Sequence, residues 1–276
     1  MSNALLRILT ALVGIPLVVG LLYAGGGWLL AGVLLTGILA QREVYDMMAA
    51  GGLAPHRKEG LLLGVLLVLW ALMPGAGAMA VLVFVLLLAA SPLRKGTAHP
   101  LSSLAATVFG ALYPACLLGF LVRLREARGP LVDGEAAFWL ALATVALVWI
   151  TDTFAYYAGR AFGRHPLAPT VSPKKTWEGA IGGAVGGLLG AVVFRLTVLP
   201  FLDWPHVVAL GLIGGVVSQL GDLAESRMKR SVGVKDSGTL LPGHGGLLDR
   251  IDALLLAIPL AYLYLAHVAH LFAGAP

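Results

Sequence analysis

From its first residue the chain alternates long apolar runs with short stretches of glycine, proline and charge. Runs of roughly 17–25 apolar residues, coiled as helix, match the hydrocarbon thickness of a bilayer. The pattern predicts nine helices, at about 5–24, 26–41, 60–74, 76–91, 101–123, 136–158, 179–200, 206–224 and 251–272. The second, third and fourth are short for straight spans, and "GGG" at 25–27 and "PGAG" at 74–77 read as tight connections. The expected fold is an all-α integral membrane protein with about nine transmembrane helices. It divides into N-terminal helices (1–100), middle helices (101–150) and a catalytic membrane region (151–276) carrying two polar motif loops, 151–178 and 222–252.

Composition supports the pattern. Hydrophobic residues make up 59% of the 276 and charged ones 12%, about half the charged share of an ordinary soluble domain. The lone cysteine, Cys116, rules out an internal disulfide and a CxxC metal site. The N-terminus has a signal-like basic residue and apolar stretch, and with many spans following it reads as a retained first helix. Under this helix count, every basic residue except Arg123, Arg125, Arg128 and Arg195 falls at the N-terminus or after an even-numbered helix. The positive-inside rule then places those loops and the N-terminus in the cytoplasm and the C-terminus outside, in a multi-pass protein of the cell membrane. The two motif loops are two crossings apart, so they face one compartment and are expected to build one site.

The first loop reads "WITDTFAYYAGRAFGRHPLAPTVSPKKTWEG". Asp152 follows directly on "ALATVALVWIT", and an ionisable residue in an apolar helix marks either function or a buried partner for a cation such as Arg160. "SPKKTWEG" sets Ser172, Lys174, Lys175 and Thr176 before a glycine-rich helix expected to begin near Gly179. Two lysines, hydroxyls and a helix N-terminus suit a phosphate, because free N–H groups and the helix dipole attract anions. The lysine pair alone also fits positive-inside marking, Trp177 an interfacial anchor, and Glu178 a helix-start acid.

The second loop begins inside a helix. Asp222, Glu225 and Lys229 lie at i, i+3 and i+7, on one helical face, with Arg227 and Arg230 beside them. In "SGTLLPGHGGLLDRID", Gly238, Gly243, Gly245 and Gly246 permit close backbone approach to a ligand, and Asp249 and Asp252 share a face at the start of the last helix. Carboxylates thus gather with Lys174, Lys175, Lys229, Arg230, Lys235 and Arg250. Such hard oxygen ligands suit Mg²⁺, which binds one or two carboxylates plus substrate phosphates. The cations would neutralise phosphate oxygens, and the set resembles equipment for phosphoryl or nucleotidyl transfer. His244 reads equally as a general acid/base or as a hydrogen-bonding loop residue. No GxxxxGK[ST] and no HExxH occurs, which argues against a P-loop NTPase and a zinc hydrolase.

The stretch "SRMKRSVGVKDSGTLLPGHGGLLDRID", Ser226 to Asp252, resembles the signature of phosphatidate cytidylyltransferases, or CDP-diacylglycerol synthases. That signature runs S-x-apolar-K-R, four residues, K-D, then H-G-G-apolar-x-D-R-apolar-D. Ser226, Met228, Lys229, Arg230, Lys235, Asp236, Gly238, Pro242, His244, Gly245, Gly246, Asp249, Arg250 and Asp252 all fit it. The upstream "TDTFAYYAGRAFGRHPLAPTVSPKKTWEG" is similar to the family's approach segment, while the N-terminal half agrees mainly in hydropathy.

The resemblance implies the reaction CTP + phosphatidate → CDP-diacylglycerol + pyrophosphate in phospholipid biosynthesis. It also implies a divalent-metal requirement, a homodimer in the membrane lipid, and a polar site open to the cytoplasm; a nucleic-acid partner is not expected. On this reading Asp222 and Asp249 hold Mg²⁺, with Asp252 and Asp152 next in line and a second metal or monovalent cation left open. Lys229, Arg230, Lys235, Asp236, His244 and Arg250 complete the expected catalytic set; Ser172, Lys174, Lys175, Thr176, Ser226, Gly245 and Gly246 form the expected substrate-binding set. A CTP-dependent polyisoprenol kinase would instead transfer the γ-phosphate and release CDP. CDP-alcohol phosphotransferases need a D-G-x2-A-R pattern that "GDLAESR" lacks. An ion-coupled transporter would use Asp152 and Asp222 within the membrane, but the charges gather in loops on one side.

Overall fold

A computed structural model of the chain describes residues 3–93, 99–240 and 245–273. Arg94, Lys95, Pro242, Gly243 and His244 lie outside the described residues. Each predicted apolar run falls in a helix: α1 (Asn3–Ala24), α2 (Gly26–Ala50), α3 (Arg57–Leu69), α4 (Pro74–Leu93), α5 (Pro100–Glu126), α6 (Gly134–Phe162), α7 (Trp177–Thr197), α8 (Trp204–Ser231) and α9 (Leu248–His267). α4 closes in a 3-10 turn at Ser91–Leu93, and α5 and α8 each contain a π-helical stretch, Ala111–Cys116 and Ile213–Val217. Five of these, α4 to α8, are long and apolar enough to cross a membrane. The chain is an all-α membrane protein by that measure. α3 has 13 residues, so it rises only about 20 Å against a hydrocarbon core of about 30 Å.

Helix ends differ from the hydropathy reading in both directions: α3 stops at Leu69, short of the expected 74, and α9 at His267, short of 272, while others run on. α2 runs on to Ala50 and α6 to Phe162, so Arg42, Glu43 and Arg160 are helical where loops were expected; α8 runs past 224 to Ser231, which keeps Asp222, Glu225 and Lys229 on the helical face their spacing indicated. Gln, Arg, Glu, Met and Lys are good helix formers, and polarity ends the hydropathy signal without ending the helix. A second difference is a small antiparallel hairpin, β1 (Pro166–Ala168) and β2 (Ser172–Thr176), pairing Pro166 with Thr176 and Ala168 with Ser172. Neither strand shows the apolar alternation that announces a strand.

The chain packs as two units, one of Met1–Arg123 with Met228–Ile251, the other of Leu124–Arg227 with Asp252–Pro276. In the first, polar side chains tie α2 to its neighbours. The buried Tyr45 hydroxyl donates to the Thr107 carbonyl at 2.7 Å, and Gln41 Nε2 donates to the Gly60 carbonyl at 2.6 Å. The His56 N–H donates to Thr107 Oγ1 at 2.7 Å, and its ring Nε2 lies 2.8 Å from Ser91 Oγ. Such bonds satisfy polar groups that apolar surroundings otherwise penalise.

In the second unit, the glycine face of α7 lets backbones meet. A Cβ on Gly187 would stand 2.6 Å from the Gly215 Cα of α8, the small-residue contact used between membrane helices. Gln219 of α8 donates through Nε2 to the Ala180 carbonyl of α7 at 3.0 Å. α7 starts at Trp177 because Thr176 caps it, its Oγ1 accepting from the Gly179 N–H at 3.1 Å. Glu178 then reaches back to the hairpin, accepting from the N–H groups of Arg164 and His165 at 3.1 and 3.3 Å, with His165 Nδ1 at 2.6 Å.

Candidate active site

A cavity of about 590 Å³ lies in the second unit, where the polar end of α6, the hairpin, and the facing turns of α7 and α8 converge. Asp152, Tyr156 and Arg160 line it from α6, Lys174, Lys175 and Thr176 from β2, and Gln219 and Asp222 from α8. Lys175 Nζ stands 2.5 Å from Asp222 Oδ2, in a half-buried pair whose side chains are 29% and 31% exposed. Ser226, one turn along α8, donates its hydroxyl to Asp222 Oδ1 at 3.3 Å. Arg160 Nη1 donates to the Tyr156 hydroxyl at 3.2 Å, holding guanidinium and ring together on the cavity wall. The hairpin presents both lysines beside the capped start of α7, and ammonium groups next to helical N–H groups favour an anion.

The first unit holds a second arrangement around the signature segment. Lys229 Nζ meets Asp249 Oδ1 at 2.5 Å, and these side chains are 10% and 7% exposed. The other oxygen of Asp249 accepts from the N–H groups of Ser237 at 3.0 Å and Gly246 at 2.8 Å. Burial works to raise the Asp249 carboxyl, but the Lys229 hydrogen bond and charge and the two N–H donors outweigh it and hold it below the usual carboxylate range. Gly245 adopts φ +81°, and a Cβ there would stand 2.8 Å from Asp249 Oδ2. At this position glycine is required by conformation and by space.

Sequence reasoning missed Glu43 of α2, a buried carboxylate. Its Oε1 accepts from the Leu247 N–H at 2.9 Å, and its Oε2 accepts from the Leu248 N–H at 2.8 Å and the Ser237 hydroxyl at 3.0 Å. A Cβ on Gly246 would stand 2.5 Å from Glu43 Oε2, and one on Gly238 2.7 Å from Oε1. The space left by those glycines is filled by the protein's own carboxylate. The one available signal was an acid in "LTGILAQREVYDMM" beside an apolar run, with nothing in the sequence to name its partner. Arg160, Tyr156 and Gln219 were also not singled out as site residues.

The remaining expected residues separate by burial. Lys235, Asp236 and Arg250 are exposed, as is Arg230, whose Nη1 donates to the Val234 carbonyl at 3.0 Å beyond the end of α8. Asp252 is buried, with Oδ1 accepting from the Ala253 N–H at 2.7 Å. Ser172 opens β2 and is half-buried, outside the lining of the cavity. Among the described residues no three His, Cys, Asp or Glu gather as a metal cluster. A Mg²⁺ ion needs only one or two carboxylates, the rest of its shell being water and phosphate oxygen. Asp152 and Asp222, hard oxygen donors lining one cavity with two lysines, suit that ion in company with substrate phosphates.

The chain resembles known proteins over nearly its whole length. Residues 5–268 match the model of the cytidylyltransferase family. A phosphatidate cytidylyltransferase of Synechocystis sp. is 34% identical, the match covering 94% of this chain and 95% of the relative. That of Brucella abortus is 37% identical, covering 96% and 94%. The chloroplastic phosphatidate cytidylyltransferase 4 of Arabidopsis thaliana is 35% identical, covering 92% and 71%. With its signature segment intact and both lysine–aspartate pairs formed, this chain belongs to the cytidylyltransferase family and is a nucleotidyltransferase.

Proposed function

We propose that the chain joins CTP and phosphatidate to form CDP-diacylglycerol and pyrophosphate, as the names of its relatives indicate for them. The observation that carries this reading is the cavity in which Lys174 and Lys175 stand with Asp152 and Asp222 at the polar ends of apolar helices. One substrate is a soluble triphosphate and the other a lipid whose phosphate lies at the interface, so a polar cavity at helix ends suits both.

A phosphate oxygen of phosphatidate attacks the α-phosphorus of CTP, the bond from that phosphorus to the bridging oxygen breaks, and pyrophosphate carries the electron pair away. The attacking phosphate is already largely ionised near neutrality (second pKa about 6 for phosphate monoesters), so no strong base is needed. Lys175 exchanges Asp222 for a phosphate oxygen when substrate enters, and Lys174 and Arg160 neutralise further oxygens. Asp222, with Asp152 in the same cavity, is the carboxylate we assign to the divalent cation, while Asp249, whose oxygens are taken by Lys229 and two N–H groups, holds the signature segment. When bound, Mg²⁺ would neutralise developing charge on the phosphates. Lys229, Arg230, Lys235 and Arg250 supply positive charge to the same chemistry, and Asp236 and His244 complete the assigned set.

The finer topology belongs to the same proposal: about nine spans, with the apolar part of α9 beyond Asp252 among them. The N-terminus and polar loops lie in the cytoplasm, and the protein is a homodimer in the cytoplasmic membrane. Purified protein in detergent should release pyrophosphate only when CTP and phosphatidate are both present. Chelating divalent ions should stop turnover and Mg²⁺ should restore it. Release independent of the lipid would sink the proposal.

A further inference from the structure

We infer that Glu43 is a positioning residue for the signature segment, a role that rests on the nucleotidyl-transfer reading above. Its carboxylate stands some two hundred residues in sequence from its partners, yet both oxygens are committed to them: Leu247 N–H on one, Leu248 N–H and the Ser237 hydroxyl on the other. Leu247 and Leu248 stand at the start of α9, where N–H groups have no helical acceptor and the dipole favours a negative charge. Asp249 draws on the same two strands of chain, taking the Ser237 and Gly246 N–H groups. Ser237 is therefore held twice, by its N–H to Asp249 and by its hydroxyl to Glu43.

The two carboxylates form a clasp that ties Ser237 to Gly246 and the start of α9. Glu43, buried and, among the described residues, hydrogen-bonded to two backbone N–H groups and a hydroxyl, supplies the frame. Asp249, within that frame, meets Lys229. Gly238 and Gly246 are shaped to the Glu43 carboxylate, since a Cβ at either would press on it. The chemistry calls for a carboxylate in particular. A glutamine in its place has one acceptor oxygen, and its amide N–H₂ would be turned against a backbone N–H. Glu43 thus acts on the reaction through Asp249 and Lys229, by fixing where they stand.

The test is steady-state kinetics per folded molecule for Glu43→Gln, Glu43→Asp and Ser237→Ala, with thermal unfolding measured on the same samples. Gln41→Leu serves as a structural control, because it removes a buried polar side chain from the same helix without touching the clasp. Glu43→Gln should lower kcat by about 10- to 100-fold, the range that small misplacement of reacting groups produces, with KM for CTP within about threefold of wild type. Ser237→Ala should show a smaller fall in kcat, and Glu43→Asp should recover part of the activity lost in Glu43→Gln. Gln41→Leu should lower the unfolding temperature and leave kcat unchanged. Unchanged kcat per folded molecule in both Glu43→Gln and Ser237→Ala overturns the inference, as does an equal fall in Gln41→Leu. Should Glu43→Gln fail to fold, Ser237→Ala decides alone. A wild-type protein without CTP- and lipid-dependent pyrophosphate release would point instead to failure of the functional reading.

Discussion

Two lysine–aspartate pairs of the same length sit in opposite surroundings. Lys175 and Asp222 meet across a cavity with about a third of each side chain exposed, while Lys229 and Asp249 meet with a tenth or less exposed. Asp222 has one neighbouring hydroxyl donor, and Asp249 has two backbone N–H donors besides its lysine. A half-exposed pair gains little from its own attraction, about 0–1 kcal/mol, so either partner can be given up to a substrate phosphate. A buried pair is held by its neighbours, and stripping one member leaves a charge that costs about 3–5 kcal/mol. Equal distance therefore hides unequal roles: the open pair is suited to exchange, the closed pair to holding geometry.

The largest expected effect separates the two carboxylates. Asp222→Asn should lower turnover at least 100-fold while the unfolding temperature barely moves; that magnitude is typical of losing a charge aimed at a transition state. Asp249→Asn should lower turnover comparably and also destabilise by about 3–5 kcal/mol, because a buried ion pair is broken from one side. Kinetics and unfolding on the same preparations check both, and equal stability loss at the two positions would erase the distinction. Next come the lysines. Lys175→Ala should raise KM for a phosphate substrate about 10-fold, equivalent to about 1.4 kcal/mol, with normal folded yield. Lys229→Ala should reduce folded yield as well as turnover, which size-exclusion profiles in detergent would show.

Acidity should sharpen the comparison further. The Asp249 carboxyl is held below its ordinary value of 3.8, so its stabilising contribution is fully present above about pH 4 and is lost as pH falls through the lower folded value. Asp249→Asn should therefore remove an acid-side fall in unfolding temperature that Asp222→Asn leaves in place. The smallest effect concerns the frame of the open site: Thr176→Val removes the cap of α7 and should cost about 1 kcal/mol, seen as a modest drop in unfolding temperature.

Much of this was legible in the chain before any coordinates. Each apolar run lies in a helix, and the signature from Ser226 to Asp252 pointed to the family. Asp152, Lys174, Lys175 and Asp222, chosen from two separate loops, line one cavity. Other features were not legible, for physical reasons. Hydropathy stopped α2 at residue 41 because Gln41, Arg42 and Glu43 are polar, yet all three are helical and Gln41 and Glu43 are buried against specific partners. The hairpin escaped because its strands are three and five residues long and do not alternate. Glu43 was invisible because its partners are contacts of long sequence separation, which no local pattern encodes. Gly246 looked like room for a ligand, and only the coordinates show that room taken by Glu43 and Ser237.

The most direct test of the proposed reaction follows the label from CTP in wild-type protein supplied with phosphatidate and Mg²⁺. Label at the α-phosphate should enter the lipid product, and label at the γ-phosphate should leave as pyrophosphate in equal amount. Transfer of γ-label to lipid with release of CDP would contradict the account.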